Sequence, residues 1–168
     1  MSGVDVGFEV IIEIPRGSRN KYEMDHQTGA IWLDRTLFTA TQYPADYGFV
    51  PDTLAEDGDP LDVLVLLDER TFPGCHVQVR PIGVFRMVDE AGGDDKVLCV
   101  PAKDPRYARY RDLSVIREET PFFLHEIEHF FHVYKDVEPG KSTEPGHWED
   151  AAAAERIIEE SRTRFEHH

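Results

Sequence analysis

Three carboxylates fall within six residues at Asp57-Gly58-Asp59-Pro60-Leu61-Asp62, at the mouth of an apolar run from Val63 to Leu67. Aspartate favours turns because its side chain bonds nearby backbone, so a solvated turn is the plain reading of such a cluster. Gly58 and Pro60, however, fix the backbone between the carboxylates, and a fixed spray of hard oxygens is what Mg²⁺ or Mn²⁺ needs to offset its dehydration. A calcium EF-hand is excluded by spacing: Asp62 stands where that loop needs glycine, and Leu61 stands at the fifth-position ligand. A second acidic turn runs from Asp89 through Gly92, Gly93, Asp94 and Asp95 to Lys96, and Glu13 and Glu23 add carboxylates near the first strand. Glu9 shares a side with Glu13 by strand alternation. Together these oxygens suffice for two or more divalent ions, the arrangement that generates a hydroxide and clamps a phosphoryl group.

Cations and phenols accompany the acids. Arg16, Arg19 and Lys21 follow the first strand, Arg35 ends the second, and Lys96 and Lys135 lie beside the second acidic turn and a helix end. Singly, each reads as a solvated surface charge. Tyr43, Tyr47 and Tyr134 offer phenolic bonds to phosphate oxygens, with core packing as the alternative. The 168 residues carry 33 Asp and Glu against 18 Lys and Arg, a formal charge of −15. Such a surface repels nucleic acid and anionic membranes, and a phosphate ligand would have to arrive with metal ions.

The elements that must position these groups follow from pattern. The 40% hydrophobic content suits one domain spanning 1–168, with His167 and His168 set aside as a possible tag remnant. Alternation predicts a strand at Gly7 to Ile14, and shorter strands are expected at Ala30 to Leu33, Asp62 to Leu67, Val77 to Val88 and Lys96 to Val100. Short strands without intervening helices predict a mainly β, α+β fold, a small barrel or twisted antiparallel sheet. Two helices are expected in the C-terminal half. One starts at Thr120-Pro121 with a capping hydroxyl and buries Phe123, Leu124, Ile127, Phe130, Phe131 and Tyr134. The other runs from about Trp148 to Phe165 with Trp148, Ala151, Ala152, Ile158 and Phe165 on its apolar side. Cys75 and Cys99 read as packing residues, and the absence of a signal-like start or long apolar run predicts a soluble cytoplasmic protein.

His125-Glu126-Ile127-Glu128-His129 matches the H-E-x-x-H pattern of zinc metalloproteases. Helical geometry turns His125, His129 and His132 away from the apolar side, and no third ligand is evident, so solvated histidines are the expectation. His26 reads as a turn histidine without an assigned role.

The ordered set Glu13-Ile14-Pro15, Lys21-Tyr22-Glu23, Leu33-Asp34-Arg35, Tyr43 to Phe49, Asp57 to Val63, Asp89 to Lys96 and Tyr134-Lys135 closely resembles the soluble inorganic pyrophosphatases of family I, over about residues 8 to 140. The resemblance implies a five-stranded OB-like barrel with two C-terminal helices and Mg²⁺-dependent hydrolysis of pyrophosphate to two orthophosphates. It also implies several ions per site, Mn²⁺ or Zn²⁺ as substitutes, pyrophosphate entering as its magnesium complex, and a homohexamer. Position by position it implies Asp57, Asp62 and Asp94 as ligands of the activating metals, Asp89 and Asp94 at a further metal, Glu13 at a substrate-borne metal, and Glu23 acting through water. It implies Asp59 as the proton acceptor, with Asp94 as the alternative assignment. Lys21, Arg35, Tyr47, Tyr134 and Lys135 match phosphate-holding positions, with Lys96 in support. Two further readings stand beside it: a zinc protease on His125 and His129, and a non-catalytic acidic module that binds divalent cations.

Overall fold

The period-two pattern of the first segment produces strand β1, Phe8–Ile14, in which Val10, Ile12 and Ile14 are buried. The computed structural model describes residues 7–89, 92–134, 138–140 and 143–168, with Asp89 and Thr143 described by backbone alone. Further strands are β2 (Asn20–Met24), β3 (Ile31–Thr36), β4 (Asp46–Phe49), β5 (Asp62–Val65), β6 (His76–Asp89), β7 (Gly92–Pro101) and β8 (Thr143–Asp150). Strands β1, β4, β5, β7 and β6 pair in that order, and β6 pairs again with β1, so five strands close into a ring. This is the expected OB-like five-stranded closed sheet. Within it β5 and β7 are parallel, with Asp62 opposite Lys96, and the other pairs are antiparallel. Strand β6 is long enough to serve three neighbours, adding β8 along its later residues, while β2 and β3 form a separate hairpin.

The run Val63-Leu64-Val65 is apolar on both faces because both faces are covered. Val63 and Val65 join Val97, Cys99, Val10 and Ile12 under the last helix. Leu64, Leu98 and Val100 face the other way, into a core shared with the preceding helices. Those helices are α1 (Leu113–Glu119), α2 (Pro121–Val133) and α3 (Ala151–Glu166).

Several expectations are corrected here. Among the described residues there are three α-helices rather than two, since α1 has only seven residues, too few for a period to register. Pro121 does open α2, but the Thr120 hydroxyl makes no cap bond; the Thr120 N–H instead donates to the Ile116 carbonyl at 2.8 Å and ends α1. Helix α3 begins at Ala151, capped by Asp150 accepting from the Ala153 N–H at 2.9 Å. Its buried stripe is Ala153, Ala154, Ile157, Ile158 and Ser161, whereas Phe165 is exposed. Trp148 belongs to β8, where its ring lies 5.1 Å from that of Phe85. Strands β2, β4 and β8 were not anticipated, and β7 starts at Gly92 rather than Lys96. Cys99 is buried and Cys75 partly so, both as free thiols. Among the described residues no helix is long and apolar enough to cross a membrane.

Gly48 is required by a close approach. A Cβ there would lie 1.9 Å from the Ile11 carbonyl oxygen on the neighbouring strand. Gly48→Ala is expected to cost about 3 kcal/mol through forced separation of β1 and β4, read as a lowered urea midpoint at unchanged slope.

Candidate active site

One pocket of about 250 Å³ collects side chains from β1, the β2–β3 hairpin, β4, the acidic loop, β5, β7 and the end of α2. Its lining includes the carboxylates Glu13, Glu23, Asp57, Asp59, Asp62 and Asp94, the cations Lys21, Arg35 and Lys96, and the phenols Tyr47 and Tyr134. Of the residues expected at the site, the Asp89 side chain and Lys135 lie outside the described residues. All the other residues that the resemblance assigns to the site line this pocket.

The acidic loop is held by its own backbone bonds. The Asp59 N–H donates to Asp57 Oδ1 at 3.0 Å, and the Ala55 N–H donates to the Asp59 carbonyl at 2.7 Å. Gly58 adopts φ of 90° between them, the left-handed conformation that glycine takes without strain. Asp57 therefore has the turn role of the plain reading and still lines the pocket. Asp59 is exposed and its carboxylate makes no hydrogen bond or ion pair among the described residues.

At the floor lies Lys96, 2% exposed, donating to Asp62 Oδ2 at 2.8 Å, Asp94 Oδ1 at 2.9 Å and the Tyr47 hydroxyl at 3.0 Å. Burial alone would depress its pKa, but Asp62 and Asp94 outweigh burial and hold it well above the ordinary lysine range. Burial, with help from Asp94, pushes Asp62 up to about 6 despite Lys96. Burial also raises Asp57 and carries Glu13 up to about 7, aided by Asp62 and Glu23. Glu13 sits where the β1–β4 register shifts, between Ile12 and Ile14, and its Oε2 accepts from the Met24 N–H of β2 at 2.8 Å. Glu9, expected on the same side, is instead exposed and paired with His76 at 2.5 Å.

Strands β2 and β3 place Lys21 opposite Arg35. Asp34 joins the two, accepting from Lys21 at 3.2 Å and from Arg35. Although burial works upward on Asp34, these bonds hold its carboxyl below the usual range.

Other expectations fail or gain detail. Arg16 lies away from the pocket and donates to the Leu67 and Asp68 carbonyls at 2.8 and 3.1 Å, and Arg19 is tied to the Leu37 carbonyl at 3.5 Å. Tyr43 is buried in the core beside Phe130. His125, His129 and His132 are exposed on α2. Sequence reasoning gave His26 no role, yet it lines the pocket edge-on to Phe49, with centroids 4.8 Å apart; no local spacing signals this.

A set of hard carboxylate oxygens, several pushed upward in pKa by burial and by one another, suits a divalent cation whose binding would relieve both effects. Among the described residues no three ligands converge into a closed cage.

Because Glu13 titrates near 7 in the fold and at 4.5 when unperturbed, the unfolded chain releases this proton first as pH rises. Stability of the metal-free protein should fall by about 3 kcal/mol from this group as pH climbs from about 4.5 to above 7. Glu13→Gln should flatten that part of the pH profile of urea midpoints; an unchanged slope would refute the assignment.

A sequence model described as inorganic pyrophosphatase matches residues 10–166. The inorganic pyrophosphatase of Streptomyces coelicolor is 63% identical over 94% of this chain and 95% of its own, and that of Leifsonia xyli is 58% identical over 90% and 91%. The crystal structure of inorganic pyrophosphatase from Thermus thermophilus superposes with a TM-score of 0.91 at 44% identity, covering 99% of this chain and 95% of that one. With a family match along nearly its whole length and relatives this similar, the chain belongs to the inorganic pyrophosphatase family.

Proposed function

We propose that this chain, acting as a single domain over 1–168, hydrolyses inorganic pyrophosphate to two orthophosphates with Mg²⁺ as its metal and Asp59 as the base. Family membership supports the activity, and the observation that carries the mechanism is one pocket lined by six carboxylates together with Lys21, Arg35 and Lys96.

Asp57, Asp62 and Asp94 would hold the activating ions, Asp89 and Asp94 a further one, and Glu13 an ion borne by the substrate, with Glu23 acting through water. When bound, Mg²⁺ supplies Lewis acidity, lowering the pKa of water at the site from about 15.7 toward 7 and offsetting phosphate charge. Asp59 accepts the water's proton as the water oxygen bonds to phosphorus. The bridging P–O bond breaks and its electron pair leaves on the departing phosphate. Lys21, Arg35, Tyr47, Tyr134 and Lys135 hold the phosphate oxygens, where one well-placed donor is worth about 3 kcal/mol. Asp94 is the poorer candidate base, since it is 6% exposed and already bound to Lys96. Lys96 supports the others by fixing Asp62 and Asp94. The family resemblance further favours a cytoplasmic homohexamer, with Mn²⁺ or Zn²⁺ able to replace Mg²⁺. The substrate is the magnesium complex of pyrophosphate.

Orthophosphate release should require Mg²⁺ and stop with excess chelator. Asp59→Asn should lower kcat by about 10² to 10⁴-fold with the fold intact; full kcat in that variant would move the base to Asp94, and folded protein that binds Mg²⁺ without turnover would restore the acidic-module reading. Combined His125→Ala and His129→Ala should leave pyrophosphate turnover unchanged, and its loss would reopen a role for the α2 histidines.

A further inference from the structure

Both terminal nitrogens of Arg35 already hold carboxylates. Nη1 donates to Asp34, and Nη2 donates to Glu138 Oε1 at 2.8 Å. The two partners differ in kind. The Asp34 side chain is 34% exposed and shared with Lys21, so it is free to yield Nη1 to another anion. The Glu138 side chain is 8% exposed.

Two buried polar atoms at this junction have no partner among the described residues: Arg35 Nε, a donor, and Glu138 Oε2, an acceptor. They are complementary, and they belong to two residues already joined through Nη2 and Oε1. On a guanidinium, Nε and Nη2 form one edge, and a carboxylate matches such an edge with two parallel bonds. A side-on pairing of the two groups would satisfy both orphans at once. The opposite end, Nη1 with Nη2, would then face the pocket as a two-pronged donor for phosphate.

We propose that Glu138 is the positioning residue for Arg35, clasping its Nε–Nη2 edge when phosphate displaces Asp34 from Nη1. The inference rests on the reading of Arg35 as a phosphate-holding residue. Arginine brings a long, flexible stem, and a phosphate contact is productive only when the planar fork is held in the right orientation. Glu138 supplies that orientation from the segment 138–140, beyond α2, where no sequence pattern marks it.

A double-mutant cycle tests this with pyrophosphate and Mg²⁺. Glu138→Gln keeps the shape and one acceptor but cannot accept on both oxygens. It should lower kcat/KM by about tenfold, the worth of one charge-assisted bond, and raise the inhibition constant of orthophosphate by a similar factor. In the Arg35→Lys background, which lacks the planar edge, the same change should cost less than about twofold. Equal losses in both backgrounds, or no loss with Arg35 present, would overturn the assignment of Glu138. Should Arg35→Lys alone leave kcat/KM intact, the reading of Arg35 itself would fall, a result the cycle separates from failure of Glu138. If Glu138→Gln does not fold, Glu138→Asp serves in its place: it keeps the charge one methylene short, and its loss should likewise vanish in the Arg35→Lys background.

Discussion

A single buried ammonium organises this protein. Lysine is almost never fully buried without partners, and Lys96 has Asp62, Asp94 and Tyr47 within 3.0 Å. The rings of Tyr47 and Phe131 lie 5.3 and 5.1 Å from its Nζ and add cation–π attraction. Desolvating one charge here would be prohibitive; desolvating it between two carboxylates is tolerable, and the pairing constrains three strands together. Asp62 lies opposite Lys96 in the parallel β5–β7 pair, and Tyr47 comes from β4. A slip of one residue in any of them would turn these side chains to the opposite face, so the ion cluster and the register of the ring specify each other.

The same cluster leaves the pocket short of positive charge. Among the described residues six carboxylates and three cations line it, a deficit that burial makes more costly. The upward displacements of Glu13, Asp57 and Asp62 come first from burial, and the neighbouring carboxylates add the part that expresses that deficit. Protons can relieve it, and so can divalent ions. On a chain of net charge −15 an anionic substrate is repelled until cations accompany it. The excess of acid is thus a requirement for metal built into the fold, and the ring holds the excess in place because Lys96 anchors it.

Where chemistry was confined to a local motif, the sequence was legible. Asp57 to Asp62 carries its own turn residues, and three carboxylates there line one pocket. Strand β1 was legible because a buried face imposes a period of two. Strand β4, by contrast, has four residues, D-Y-G-F, too few for a period, and its pairing is decided by the neighbouring strands. Strand β8 contains Pro145 and Gly146, which weaken a strand reading although the β6 edge accommodates them. The placements of Arg16, His26 and Glu138 depend on contacts between elements far apart in the chain, and no residue type or spacing announces such contacts. Arg16 lies in sequence where a cation could serve the site, yet carbonyls of the segment after β5 take it away from the pocket.

The site therefore has two mechanical parts. Asp62, Asp94, Lys96 and Tyr47 ride on the closed ring, whose strands constrain one another on both edges. Lys21, Glu23 and Arg35 ride on a hairpin whose strands, among the described residues, pair only with each other. Glu13 joins the parts, since it belongs to β1 and its carboxylate accepts the Met24 N–H of β2. A group that binds a cation on one oxygen can keep that backbone bond on the other. Charge brought to Glu13 would then be felt in the hairpin that carries Lys21 and Arg35. In the proposed reaction the ring would fix where metal and water meet, and the hairpin would supply the adjustable half of the grip. Asp34 and Glu138 both pair with its guanidinium.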